Sequence, residues 1–182
     1  MRLHHLIYAA LAVFGVGAGR ANAGVHDLRL AVVAHNLGDR HHREESENYE
    51  AEVVWETSGF LEFLGKPRPY MMVSVNDKQF TSFAGVGLYW RKPLSEHWTF
   101  EPGFGYVIHD GKIDTPTLDD ERVQLGSRDL FRTTLALERE FGDHLAAQAY
   151  FEHLSHGQIL GQGRNQGLNE AGIRRVFRIK PE

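Results

Sequence analysis

The sequence contains no cysteine, so no disulfide can brace the folded chain. Beyond the N-terminal segment it also lacks any stretch of about 18 apolar residues, which excludes a transmembrane helix but not a transmembrane β-barrel. No segment with helical hydrophobic periodicity competes in length with the strand-like segments. A chain of this kind must be held together by its own core or by a lipid bilayer.

The N-terminal segment has the three parts of a secretory signal peptide. A basic head at residues 2–5 precedes the apolar run 6–16, which is too short to cross a bilayer. Ala21-Asn22-Ala23 then supplies the small-x-small pattern that signal peptidase reads. We therefore expect residues 1–23 to be removed on export and residues 24–182 to form one domain.

The remaining chain lacks excess positive charge. Without Arg2 and Arg20 it has 18 basic against 24 acidic side chains, a formal charge near −6. Such a chain repels a phosphate backbone, so we expect no nucleic-acid partner. The 11 histidines are scattered, with His41-His42 in a charged loop, and the acidic run 114–121 is typical of a solvated loop. We therefore expect no metal site and no cofactor.

Eight segments alternate between apolar and polar residues with the period of a β-strand, in which residues i and i+2 point to the same face. The fifth segment, for example, places Trp98, Phe100 and Phe104 on one face and Thr99 and Glu101 on the other. Such alternation fits either a soluble β-sandwich with one wet face or a membrane barrel. The predicted strands are residues 26–36, 48–58, 68–77, 80–91, 96–108, 128–141, 144–155 and 168–179.

The lengths of the connections favour the barrel. Apart from a short link at 78–79, long and short connections fall at opposite ends of the predicted strands, as external loops and periplasmic turns do. Strands of about 9–13 residues also suit a tilted membrane crossing. We therefore predict an all-β protein, an eight-stranded antiparallel up-and-down transmembrane β-barrel that follows a cleaved signal peptide. A pore is not expected, because side chains fill an eight-stranded interior.

A group of polar side chains lies where the last two predicted strands meet an external loop. Counting by two along the apolar face of the seventh strand reaches His153 and Ser155, and the same count on the eighth reaches Asn169. Glu170 falls on the interior face. Polar groups that face lipid cost several kcal/mol unless they are satisfied. The pair His153 and Ser155 could act as base and nucleophile in ester hydrolysis, whereas a polar belt at the membrane surface would need no chemistry.

Segments 68–76, 84–90, 105–111 and 125–132 carry a family resemblance, and its most specific part is His153-x-Ser155…Asn165-x-Gly167-x-Asn169. Together they resemble the outer-membrane lipid A 3-O-deacylase (PagL-type, acyloxyacyl hydrolase) family. The resemblance implies an eight-stranded barrel in the Gram-negative outer membrane. It further implies hydrolysis of the ester-linked 3-position acyl chain of lipid A by a triad of Ser, His and an acid, without a metal cofactor.

The resemblance makes His153 the general base and Ser155 the nucleophile. The family's acidic position falls on Asn169, with an acid one residue later at Glu170, and His156 replaces the Asn that typically follows the Ser. A neutral Asn can orient the imidazole but supplies no charge. Three alternatives stay open: Glu170 reaches the site through a bulge, Asn169 serves with reduced turnover, or the chain is a non-catalytic barrel that binds lipopolysaccharide. Lipid A or lipopolysaccharide is the expected partner, and a homodimer is left open.

Overall fold

The computed structural model describes residues 24–39, 43–113, 122–161 and 164–179. The predicted signal peptide, His41-His42 and the acidic run 114–121 lie outside these residues. Within them, antiparallel strands form one sheet, in which eight strands are long and β5 has two residues. The strands are β1 (Val25–His35), β2 (Ser46–Trp55), β3 (Arg68–Asn76), β4 (Phe83–Tyr89), β5 (Lys92–Pro93), β6 (Trp98–His109), β7 (Asp129–Glu140), β8 (Leu145–Ser155) and β9 (Leu168–Arg178), with a 3-10 helix at Gly59–Leu64.

The sheet closes into a barrel. Long strands that are neighbours in sequence pair with each other, β4 pairs with β6, and β1 pairs with β9 to complete the ring. This confirms the predicted eight-stranded antiparallel barrel, and each predicted segment overlaps one long strand. Connections 36–45, 77–82, 110–128 and 156–167 lie at one end, here called the loop end. Connections 56–67, 90–97 and 141–144 lie at the other, the turn end.

The predicted fourth strand, residues 80–91, was wrong at its start. The side-chain oxygen of Asn76 accepts hydrogen bonds from the backbone N–H groups of Lys78 and Phe80, both at 3.0 Å. These bonds bend the chain into a turn, so β4 begins only at Phe83. The link at 78–79 is therefore part of connection 77–82 at the loop end, which is still shorter than connection 56–67 at the turn end.

The predicted second strand, residues 48–58, ends early at Trp55. The chain then forms the 3-10 helix, which ends at Gly65 in the left-handed conformation with φ of 85°. Connection 56–67, between β2 and β3, is therefore longer than the link 59–67 that the two predicted strands leave.

Buried ion pairs fill the barrel interior. Arg132 donates to Glu52 at 3.1 Å and to Glu152 at 2.5 Å, and Arg174 donates to Glu52 at 2.9 Å. Because an unpaired charge in such an interior is very costly, these pairs hold the strands in one register. Arg132 therefore faces inward and pairs with Glu52 of β2.

Apolar side chains close the interior at the loop end. Leu154 on β8 and Leu168 on β9 are fully buried in this cluster. Each of them is the chain neighbour of a candidate site residue that faces the opposite way. Their burial therefore fixes the ends of both strands and, with them, the direction of the side chains on the outer wall.

The outer wall is largely apolar. Large apolar side chains on it, such as Leu30 at 49% and Val86 at 47%, remain substantially exposed. An uncovered apolar band of this kind is expected where a barrel contacts lipid. No helix among the described residues is long and apolar enough to span a membrane.

Candidate active site

The candidate site lies on the outer wall at the loop end. His153 on β8 pairs across the sheet with Asn169 on β9 and, on its other side, with Thr133 on β7. Ser155, two residues further along β8, pairs with Phe131. His153 and Ser155 share one face because the side chains of a strand alternate.

A hydrogen bond joins His153 to Asn169. The distance from His153 Nδ1 to Asn169 Oδ1 is 2.7 Å. An amide oxygen can only accept, so Nδ1 carries a proton, and in the neutral imidazole Nε2 then keeps its lone pair. This is the tautomer in which a histidine takes a proton from a neighbouring hydroxyl.

Leu37, in the connection after β1, fixes the orientation of the Asn169 amide. Its backbone N–H donates to the backbone oxygen of Asn169 at 2.7 Å. Its carbonyl accepts from Asn169 Nδ2 at 3.4 Å. Because Nδ2 is directed at this carbonyl, Oδ1 is directed at His153.

Glu170 points the other way, into the barrel. It is fully buried, accepts a hydrogen bond from His35 Nδ1 and accepts another from Asn48 Nδ2 at 3.1 Å. The structure therefore brings Asn169, and not Glu170, to His153. Arg174, which also faces the interior, is bonded to Glu52, and the partner of Glu170 is His35.

The buried contact of Glu170 continues into two connections of the loop end. His35 Nε2 lies 3.0 Å from Glu44 Oε2, and Arg122 Nε donates to Glu44 Oε1 at 2.8 Å. Burial alone would raise the pKa of the Glu44 carboxyl, but the hydrogen bond from His35 and the charge of Arg122 hold that pKa below its usual range. The network connects the segments that contain Glu44 and Arg122 to Glu170, near the start of β9.

Ser155 is half-buried beside an aromatic wall. Phe131, its cross-strand neighbour, stacks on Phe104 with ring centroids 5.5 Å apart. Within the described ranges no hydrogen bond joins Ser155 to His153, whose Nδ1 is engaged with Asn169. Nucleophile and base contacts are often long in the absence of substrate and tighten when it binds.

Gly167 is a site residue whose role the sequence did not reveal. Its φ is +68°, and a Cβ placed on it would lie 2.8 Å from His153 Cε1. Both the backbone conformation and the close approach to the ring therefore require glycine. Its N–H donates to Asn165 Oδ1 at 3.2 Å, which shapes the turn before Asn169. The Asn-x-Gly spacing was the available signal, but only the folded chain shows the contact with His153.

His156 does not turn its side chain toward the outer wall. The ring is fully buried, and its Nδ1 accepts the backbone N–H of Gln158 at 3.1 Å. The backbone turns sharply at this point, because the carbonyl of His156 accepts from the N–H groups of both Ile159 and Leu160 at 3.0 Å. What this segment presents next to Ser155 is therefore backbone.

The outer wall beyond the site is apolar and contains small residues. Phe151 pairs with Ala171 and Ala149 pairs with Ile173, in line with His153 and Asn169 along the same two strands. A fatty acyl chain placed along this face would contact only apolar side chains of these pairs while its ester reached His153 and Ser155.

A second cluster of ionisable groups lies inside the barrel. The carboxylates of Glu50, Glu152 and Glu170 have oxygens within 4.8 Å of one another, the only group of this kind in the described part of the chain. All three accept hydrogen bonds from interior side chains: Tyr150, Arg132 and His35 in that order. The cluster belongs to the interior network, and the sheet separates it from His153.

Comparisons with known proteins identify related sequences and folds. Residues 35–178 match the family described as lipid A 3-O-deacylase (PagL). No curated protein matches the chain. The crystal structure of the outer membrane enzyme PagL has the same fold, with a TM-score of 0.60 at 12% sequence identity, over 83% of this chain and 98% of that one. The outer membrane protein Ail of Yersinia pestis gives a TM-score of 0.48 at 9% identity, over 85% and 99% of the two chains.

Proposed function

We propose, because the chain belongs to the lipid A 3-O-deacylase (PagL) family, that it hydrolyses the ester of the 3-position acyl chain of lipid A. The chain is an outer-membrane β-barrel, and its family acts on lipid A in that membrane. The observation that carries the proposal is the 2.7 Å hydrogen bond between His153 and Asn169 on the outer wall, two residues from Ser155.

The proposed reaction has two steps. In the first, Ser155 Oγ attacks the ester carbonyl carbon while His153 Nε2 accepts the hydroxyl proton, and collapse of the tetrahedral intermediate returns this proton to the departing sugar oxygen. In the second, a water molecule activated by His153 attacks the acyl-serine. It releases the fatty acid and restores the Ser155 hydroxyl. Backbone N–H groups near residues 156–157 are the proposed donors to the oxyanion.

Asn169 holds His153 in the required tautomer but gives the imidazolium no charged partner. In a serine protease, replacing the triad Asp by Asn lowers kcat by about 10⁴-fold, a loss attributed to the wrong histidine tautomer. Asn169 keeps the right tautomer, so about 10⁴-fold is an upper limit for the loss here. We therefore expect this chain to turn over slowly compared with an enzyme that has an acid at this position. The proposed residues all come from one chain, so the reaction itself requires no second copy, and the homodimer stays a prediction.

The second candidate function is a non-catalytic barrel that binds lipopolysaccharide. One observation favours it: the side chain that the structure places at His153 Nδ1 is neutral. In that case the same polar cluster would contact the lipid head group without cleaving it.

Mass spectrometry of lipid A from cells with and without the protein tests the proposal. We expect loss of one 3-linked acyl chain in the presence of the wild-type protein. In Ser155→Ala the reaction should fall by roughly 10⁴-fold or more, while heat-modifiable migration on a gel shows that the barrel still folds. Ser95→Ala at the turn end is the matched control. Undiminished deacylation by Ser155→Ala would remove the mechanism, and a folded wild-type barrel that leaves lipid A intact would support the binding function.

A further inference from the structure

The 3-10 helix between β2 and β3 exposes two aromatic side chains. Leu61 packs inward with 7% of its surface exposed, whereas Phe60 and Phe63 are 72% and 80% exposed. Leu64 is exposed as well. Removing apolar side chains of this size from water is favourable, so the arrangement is unfavourable unless something apolar covers it.

The helix is held in a defined conformation. The N–H of Leu61 donates to the carbonyl of Ser58 at 2.8 Å, and that of Gly65 donates to Glu62 at 3.1 Å. Outside the helix, Thr57 Oγ1 donates to the carbonyl of Lys66 at 3.0 Å. The phenylalanines are therefore presented by an ordered element and are not the tip of a frayed loop.

The helix lies against the outer wall of the barrel. Trp90 Nε1 donates to the carbonyl of Leu64 at 2.8 Å. Trp90 follows β4 on the same face as Val86, which belongs to the exposed apolar band. Gly65 also packs on this tryptophan, since a Cβ there would lie 3.7 Å from the ring. The exposed phenylalanines are therefore continuous with the membrane-facing surface, at the turn end.

Two features of the surroundings fit the surface of a phospholipid leaflet. The chain has three tryptophans, Trp55, Trp90 and Trp98, and all three stand at the turn end, where aromatic side chains mark the membrane boundary. Lys66, directly after the helix, and Lys92, close to Trp90 in sequence, are exposed. Amphipathic elements with basic neighbours are drawn to anionic head groups.

We propose that the helix Gly59–Leu64 is an interfacial anchor that inserts Phe60, Phe63 and Leu64 into the phospholipid leaflet around the turn end. The anchor binds a phospholipid bilayer and not another protein. The anchor rests on the membrane location of the barrel and does not depend on the proposed deacylase activity.

The absence of cysteine provides a test without background labelling. Phe63→Cys would carry a single nitroxide in protein reconstituted into vesicles of phosphatidylethanolamine and phosphatidylglycerol. Collision of the label with oxygen, which concentrates in lipid, would be compared with collision with a water-soluble nickel complex. Val86→Cys on the outer wall is the control for lipid, and Asp143→Cys in the β7–β8 turn is the control for water.

We expect the oxygen-to-nickel ratio at residue 63 to be several-fold above that at residue 143 and closer to that at residue 86. Phe60→Cys keeps Phe63 in place and should give the same result, which guards against loss of insertion through the substitution itself. Heat-modifiable migration identifies the folded fraction of each variant. Ratios at residues 60 and 63 equal to that at residue 143 would overturn the proposal.

Discussion

The two faces of the β8–β9 hairpin differ sharply in charge. Glu152 pairs across the strands with Glu170 on the inner face, and the next pair along, His153 with Asn169, lies on the outer face. The inner pair is part of a network of buried arginines and carboxylates. The outer pair is linked by one hydrogen bond between two side chains, of which the asparagine is neutral.

This comparison shows that nearness in sequence does not make a carboxylate available to a base. Glu170 is one residue from Asn169, yet the sheet directs it to His35 and away from His153. On the lipid face of a barrel, Arg or Lys costs about 2–4 kcal/mol at the midplane and about 0–1 kcal/mol near the interface, and a carboxylate costs less. A neutral partner for His153 therefore avoids a desolvation cost on the outer face, and the expected penalty is slower chemistry.

The largest effect should come from adding a charge to the outer pair. Asn169→Asp places a carboxylate at His153 Nδ1, where it stabilises the imidazolium, and we expect the single-turnover deacylation rate to rise by roughly 10²–10⁴-fold. The measurement is release of fatty acid from lipid A in detergent micelles. Asn165→Asp adds the same charge four residues earlier, in the connection before β9, without contacting Nδ1, and should not raise the rate. Equal acceleration by both variants would show a general charge effect and contradict the role of Asn169.

A second variant disturbs the outer pair by shape alone. Gly167→Ala puts a methyl group 2.8 Å from His153 Cε1 and should displace the ring, which we expect to lower kcat by roughly 10²-fold. Gly65→Ala is the matched control, because it also has a positive φ, +85°, but its Cβ would be 3.7 Å from Trp90 at the turn end and away from His153. If both variants lose activity equally, backbone strain and not the contact with His153 is responsible.

Changing the inner pair should affect stability and spare the chemistry. Glu170→Gln keeps the shape of the side chain but removes one of the two carboxylates that contact His35, so that only Glu44 remains. We expect unfolding in urea, followed by tryptophan fluorescence in micelles, to show a loss of roughly 1–3 kcal/mol. The single-turnover rate should stay within a factor of about two, well under 1 kcal/mol of barrier. A large loss of rate with unchanged stability would instead identify Glu170 as the third member of the triad.

The smallest expected effect is on the pH dependence of the free energy of unfolding. Because the pKa of Glu44 is held below its ordinary value of 4.5, its carboxylate stabilises the folded protein above that pH. This contribution is lost as the pH falls through the lower pKa of the folded state, since only the unfolded chain gains a proton between the two values. Urea unfolding at pH 3.5 and 6 should therefore show a smaller pH dependence in Glu44→Gln than in the wild type. An unchanged dependence would contradict the shift.

The strand pattern and the faces of the last two strands were predictable because alternation depends only on local sequence. The start of β4 was not, since the side chain of Asn76 bends residues that still alternate. The sequence did not predict the helix Gly59–Leu64, because six residues are too few to show a helical periodicity of apolar side chains.

The environment of the candidate site depended on contacts between distant segments. His153, Ser155 and Asn169 could be placed on one face by counting, whereas the position of Leu37 beside Asn169 follows only from the pairing of β1 with β9. In the same way, the tight packing of Gly167 on His153 depends on the pairing of β8 with β9, which brings the start of β9 beside His153. Sequence patterns carry the direction of a side chain along its own strand, but not the neighbours that closure of the barrel brings to it.

The hydrogen bonds between Leu37 and Asn169 cross the seam where the first and last strands meet. A chain whose barrel has not closed already contains Ser155 and His153, but the Leu37 carbonyl that orients the Asn169 amide reaches its place only when β1 pairs with β9. The proposed catalytic arrangement therefore depends on closure of the barrel, and we expect no hydrolysis of lipid by an unclosed chain.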